Sequence, residues 1–151
     1  MKTVNIRPAT KEDIPQLLDL MYQYIVDFYK CPRPIEDDLK GLIIHLLDHP
    51  YEGIQFVAEE EPNKLVGFAT LYFTFNTLEV KRMALLYDLF VRPDTRGQKV
   101  GENLFQTCLS YIRDNNYSHM LWETAHDNVT AQSLYDKMGA QKAAWLNYEI
   151  K

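Results

Sequence analysis

A chain of 151 residues is long enough for one hydrophobic core, so a single domain spanning residues 1–151 is expected. Apolar residues at 46% and charged residues at 25% exclude a disordered or fibrous chain, and no segment, MKTVNIRPATKED at the start included, reads as a leader or a membrane span. A net charge of −5 argues against nucleic-acid binding, which needs Lys and Arg against phosphate, and the two distant cysteines, Cys31 and Cys108, read as reduced thiols of a cytoplasmic protein with no membrane partner.

Residues 5–7 form a short predicted strand, after which Thr10 and Asp13 have the spacing of a relaxed capping box. Ile14, Leu17, Leu18, Met21, Ile25 and Phe28 then recur at helical spacing and should face the core until residues 30–34, with two prolines, end the pattern. Glu36, Asp37 and Asp38 suit the positive end of a second helix, which Pro50 closes. The texture changes at Gly53. Residues 54–60 and 65–75 are rich in β-branched and aromatic side chains around a turn at 61–64, the pattern of an antiparallel hairpin, and a third strand is expected over 82–91. A helix follows, with Val100, Leu104, Phe105, Cys108, Leu109 and Ile112 on one face. Residues 120–124 are predicted as a strand, 130–138 as a helix capped by Gly139, and 145–150 as a last strand, which together make an α+β domain.

The chemistry concentrates after the third strand. Residues 87–101 run YDLFVRPDTRGQKVG, a buried-type strand leading through a glycine-containing loop directly into an amphipathic helix. That arrangement aims free backbone N–H groups at one point, where the helix dipole also favours an anion, and Gly97 and Gly101 let a pyrophosphate approach the backbone. A plain strand–turn–helix connection would use Gly97 for the turn alone. A P-loop is excluded, because Lys99 precedes a valine where Ser or Thr is required.

The run from Tyr87 to Gly101 resembles the coenzyme A segment of the GNAT superfamily of N-acetyltransferases, with Arg96, Val100 and Gly101 in place and Lys99 where the middle glycine stands. Lys99 is accordingly expected in an ordinary helical conformation. A second stretch, LWETAHDNVTAQSLYDKMGA from Leu121 to Ala140, is similar to the family's strand, Asn-x-x-Ala-x-x-Leu-Tyr helix and glycine cap, in detail to its histone and polyamine acetyltransferase branch. The resemblance implies a mixed sheet of six to seven strands flanked by about four helices, with acetyl-CoA as cosubstrate. It also implies that Arg96, Gly97, Gln98, Lys99, Val100 and Gly101 cradle the pyrophosphate. Leu89, Phe90 and Val91 would pair with the pantetheine and supply an oxyanion donor, Asn128 would hold the same arm, and Tyr135 would bind there and protonate the leaving thiolate.

An attacking amine must be neutral, so a base is useful, and Asp88 and Glu123, on the two strands that flank the cofactor, are the candidates; each could equally be an ordinary ion-pairing carboxylate. His45 and His49 share the i, i+4 spacing of a zinc helix, but Leu46 replaces the glutamate of that motif and no third ligand is evident, so no metal is expected. The leading reading is direct acetyl transfer in a ternary complex to a primary amine: a polyamine, a lysine side chain or another small amine. Tyr22, Tyr24 and Tyr29 on the first helix would wall an aromatic, acidic acceptor pocket. Alternatives are an acyl-CoA sensor without turnover, suggested by Lys99, and an interaction module; a homodimer through the last strand is expected in either case.

Overall fold

The computed structural model describes residues 3–95 and 97–151. Five strands form one sheet in the order of the chain: β1 Val4–Pro8, β2 Gly53–Glu60, β3 Lys64–Asn76, β4 Lys81–Val91 and β5 Met120–Leu121. The first four are antiparallel neighbours, and β5 lies parallel to β4 after the crossover helix α3, Val100–Asp114. Helices α1 (Ile14–Tyr22) and α2 (Glu36–Asp48) precede the hairpin, and α4 (Val129–Lys137) follows β5.

Alternation along the strands divides the core between the two faces of the sheet. Phe68 and Phe90 point to one face, where they meet Leu17, Leu20 and Ile43 of α1 and α2. Ala69, Leu71 and Leu86 point to the other, against Leu104, Phe105, Cys108 and Ile112 of α3. Leu17, Ile43, Phe68, Leu71 and Leu104 are all fully buried, and each such side chain contributes about 1.5–3 kcal/mol through removal from water. Gly67 is required where β3 passes β4, because a Cβ there would sit 2.8 Å from the Phe90 carbonyl oxygen. Before α1, the Asp13 carboxylate accepts from the Thr10 amide at 2.8 Å and from both terminal nitrogens of Arg7, which hold its pKa below the ordinary carboxylate range.

Three expectations are corrected. The first helix does not stay α-helical to Phe28: residues Gln23–Phe28 widen into a π-helical turn, and Phe28 is exposed rather than in the core. The strand expected over 120–124 stops at Leu121. The strand expected over 145–150 does not form, and Trp145, Leu146, Tyr148 and Ile150 are all more than four-fifths exposed. Alternation can suggest a strand, but only a backbone partner makes one, so the described residues give a sheet of five strands rather than six or seven.

Candidate active site

The site opens where β4 and β5 part. They pair only at Ala84↔Met120 and Leu85↔Leu121, so Leu86–Phe90 of β4 has no strand on that side among the described residues. Its other edge stays bound to β3, with an irregularity: Thr70 pairs with Asp88 and Leu71 with Leu86, which leaves Tyr87 as an extra residue. Such a bulge re-aims the side chains beside it. Asp88 is buried, and that burial pushes its carboxyl above the ordinary carboxylate range, while the hydroxyls of Thr70 and Tyr24 beside it pull more weakly the other way. Beneath it, buried Gln55 donates through Nε2 to Thr70 Oγ1 at 3.1 Å, which leaves the Thr70 hydroxyl proton for another acceptor. The π-turn brings Tyr24 to the bulge, where its hydroxyl lies 3.4 Å from the Tyr87 carbonyl oxygen and shares its one proton between that oxygen and Asp88.

Beyond Val91 the chain makes one 3₁₀ turn, Pro93–Thr95, and enters α3 through the loop that carries the expected pyrophosphate contacts. Arg96 lies outside the described residues. Gly97 has φ +90°, a conformation glycine adopts without strain, and Gln98 is exposed beside it. Lys99 is not helical as expected but left-handed, at φ 61° and ψ 22°, because the loop has to reverse at that point to start the helix at Val100. The first turn of α3 thereby presents the amides of Val100, Gly101 and Glu102, which no helical carbonyl can take. A Cβ at Gly101 would meet only Val91 Cγ2, at 3.6 Å, so the protein itself leaves room there.

Two expectations follow. Since the left-handed conformation costs a non-glycine residue about 1–2 kcal/mol, Lys99→Gly should raise Tm by roughly 2–8 °C, less if the extra freedom of glycine in the unfolded chain offsets the relief. Calorimetry checks this, and a lower Tm would mean that Lys99 makes a compensating contact. Gly101→Glu should leave the fold intact but weaken acetyl-CoA binding at least tenfold, because it places bulk and negative charge before those amides; titration calorimetry giving wild-type affinity would move the phosphate site elsewhere.

Tyr135, on α4, packs against Trp122 and Phe105 with ring centroids 5.2 and 5.9 Å away. Burial raises its pKa, and Tyr29, across the opening, adds to the rise, so the phenol keeps its proton at neutral pH. Asn128 caps α4, its Oδ1 accepting from the Ala131 amide at 3.2 Å, so it has a structural duty besides any toward a ligand. Glu123 is exposed and accepts from Asn147 Nδ2 at 3.4 Å. An ion pair of 3.4 Å between Glu102 and Lys137 ties the first turn of α3 to the end of α4.

Asp88 and Glu123 both line one cleft of about 670 Å³, together with Tyr24, Tyr29, Tyr72 and Trp122. Burial beside Asp88 pushes the Tyr72 phenol up to about 12. Sequence reasoning did not find Thr70, Gln55 or Tyr72, since each reads as an ordinary strand residue; Gln55, a polar residue amid a buried-type strand, was the one signal present.

The acetyltransferase (GNAT) family model matches residues 18–140. An uncharacterised N-acetyltransferase of Bacillus subtilis (strain 168), YhfO, is 32% identical over 92% of this chain and 91% of its own. Another uncharacterised N-acetyltransferase, from Archaeoglobus fulgidus, is 31% identical over 87% of this chain and 89% of its own. Among solved structures, a probable acetyltransferase superposes with a TM-score of 0.86 at 26% identity, covering 97% of each chain.

Proposed function

The chain belongs to the GNAT family of acetyltransferases and is an acetyl-CoA-dependent N-acetyltransferase, and from that premise we propose that it acetylates a primary amine of cationic character by direct attack in a ternary complex. The observation that carries the acceptor class is the cleft in which two carboxylates, Asp88 and Glu123, stand among tyrosines and tryptophans. Aromatic faces and carboxylates together favour an ammonium over a neutral or anionic ligand. A polyamine or a lysine side chain, the acceptors of the histone and polyamine branch, has that chemistry.

The residues fit acetyl-CoA on two observations. The open edge of β4 at Leu86–Phe90 suits an extended amide-bearing arm, and the free amides at Val100–Glu102 suit its pyrophosphate. When bound, the cosubstrate supplies an activated acetyl thioester. Leu89, Phe90 and Val91 would hold the arm, Gly97, Gln98, Lys99 and Gly101 the phosphates, and Asn128 the far side. Asp88 takes the proton of the incoming ammonium, and Tyr135 supplies a proton to the departing sulfur. Cys108 is fully buried in the core and burial pushes its thiol up to about 12, leaving it a poor nucleophile, whereas Cys31 is exposed and lines the cleft, so acetyl trapped on Cys31 and seen by mass spectrometry would overturn direct attack.

The sensor alternative rests on Lys99 in place of glycine and on a general base not yet demonstrated. Lys99 adopts the left-handed turn all the same, so the loop geometry does not argue against turnover. The exposed Trp145, Leu146, Tyr148 and Ile150 support the homodimer reading, as a surface that a second copy could cover. The deciding experiment measures acetyl-CoA turnover against polyamines, lysine peptides, small neutral-bodied amines and hydroxyl acceptors. Turnover confined to polyamines and lysine peptides is the expected result, and a preference for uncharged or hydroxyl acceptors would overturn the proposal.

A further inference from the structure

The far end of α2 carries a group of side chains that acetyl transfer does not use. His45 and His49 lie one turn apart, their rings stacked with centroids 4.1 Å apart. The chain then reverses, with the Glu52 amide donating to the His49 carbonyl at 2.9 Å, and brings Glu52 back to His45, whose Nε2 lies 2.9 Å from Glu52 Oε2. One ligand atom from each of the three residues lies within 4.8 Å of the other two. The third ligand was not evident in the sequence because it comes from beyond the turn rather than from the helix face.

A second observation is independent of that proximity. His49 Nδ1 lies 2.8 Å from the His45 carbonyl oxygen, which can only accept, so Nδ1 carries the proton and the lone pair sits on Nε2. A ring nitrogen donating to a backbone carbonyl while the other keeps its lone pair is the arrangement that orients a histidine toward a metal. The backbone around the group is fixed: His49 N donates to Leu46 O at 3.3 Å, and Phe73 N of β3 donates to Glu52 O at 3.0 Å. The negative end of the α2 dipole also favours a cation there.

We propose that His45, His49 and Glu52 form a binding site for a first-row divalent transition-metal ion, Zn²⁺ foremost, at the corner between α2 and β2. Two imidazoles and one carboxylate are a donor set for zinc, with water completing the tetrahedron, whereas Mg²⁺ and Ca²⁺ call for oxygen alone. Ligand atoms around tetrahedral zinc stand about 3.3 Å apart, so the His45–Glu52 pair has to open by a few tenths of an ångström, the proton that His45 Nε2 donates to Glu52 has to pass to water or to Nδ1, and His49 Nε2 has to swing in. All three side chains are exposed and have the room to do so. None of them lines the acceptor cleft, so the ion acts as a clamp rather than a reagent. It joins the end of α2, whose Leu39 and Leu42 wall that cleft, to the start of the central hairpin.

The test uses the untagged full chain at pH 7.5, titrated with Zn²⁺ by calorimetry and by competition with a chromogenic chelator. One equivalent should bind with a micromolar Kd and raise Tm by on the order of 5 °C at a hundredfold excess over Kd. His49→Ala and Glu52→Gln, both at exposed positions, should each weaken binding at least tenfold and remove the Tm shift, while Cys31→Ser, which deletes the exposed thiol, should change neither. Co²⁺ should give the visible absorption of a tetrahedral nitrogen–oxygen site in the wild type and lose it in His49→Ala. Absence of binding at 100 µM Zn²⁺, or binding that survives His49→Ala, overturns the proposal.

Discussion

Asp88→Asn is expected to lower turnover by about 10²–10³-fold while leaving acetyl-CoA affinity within a few fold. A lysine-like ammonium is neutral in only about one part in a few thousand at pH 7, a deficit of roughly 4–5 kcal/mol, so the enzyme gains most from a group that can receive that proton. Asp88 is placed for it: the bulge at Tyr87 turns it toward the cleft, and burial raises its carboxyl above the ordinary range, which makes its carboxylate a better proton acceptor. Asparagine keeps the shape and the hydrogen-bonding oxygen but cannot take the proton. Stability should move the opposite way. A carboxyl whose folded pKa lies above its unfolded one binds more protons in the folded state, so its contribution to stability falls as pH rises from the ordinary carboxylate range through the raised value. At neutral pH Asp88 is therefore a cost to stability, and Asp88→Asn should melt at or above the wild-type temperature, the difference closing in acid. Turnover by Asp88→Asn at the wild-type rate, with chemistry shown to be rate-limiting, would transfer the role to Glu123 or to solvent.

Tyr135→Phe should cost about a hundredfold or more in turnover, again with cosubstrate affinity nearly unchanged, if the phenol acts on the departing sulfur as proposed and not on binding. The ring stays between Trp122 and Phe105, so the fold should be intact. The raised pKa keeps the wild-type hydroxyl protonated through the neutral range. A thiolate is a tolerable leaving group near its own pKa of about 8.5, so the defect should shrink as pH rises toward that value. Rates of both proteins from pH 6 to 9, with thermal unfolding as control, distinguish this from a packing defect, which would not depend on pH. A pH-independent loss, or none, removes Tyr135 from proton transfer.

What the sequence made legible was whatever depends on local pattern. The hairpin of β2 and β3 follows from two apolar runs around a turn, and α3 from the spacing of Val100, Leu104, Cys108 and Ile112, all of which are buried. The phosphate loop was placed because a strand, a glycine and a helix start coincide. Pairing was less legible. Residues 145–150 alternate well enough for a strand, yet β5 ends at Leu121 and supplies no edge for them. The bulge at Tyr87 is a property of register between two strands, and with it went the hydroxyls of Thr70 and Tyr24 around Asp88. Lys99 illustrates the converse: its identity argued for helix, and the geometry needed to turn β4 into α3 overrode that preference.

The early parting of β4 and β5 bears on how the molecule unfolds. No described side chain after Met120 is buried, and α4 meets α3 through the Trp122–Tyr135–Phe105 ring contacts, the packing of Met138 and its contact with Gln106, and the Glu102–Lys137 pair. The last fifth of the chain is therefore expected to open locally as a unit of its own, its amides exchanging with solvent sooner than those of β3. Acetyl-CoA, held on one side by the β4 edge and on the other by α4, would bridge the two units and merge them into a single cooperative transition. Tyr135, already packed between Trp122 and Phe105, would then be held against local opening while the cosubstrate is bound, which hydrogen exchange of α4 with and without acetyl-CoA would show.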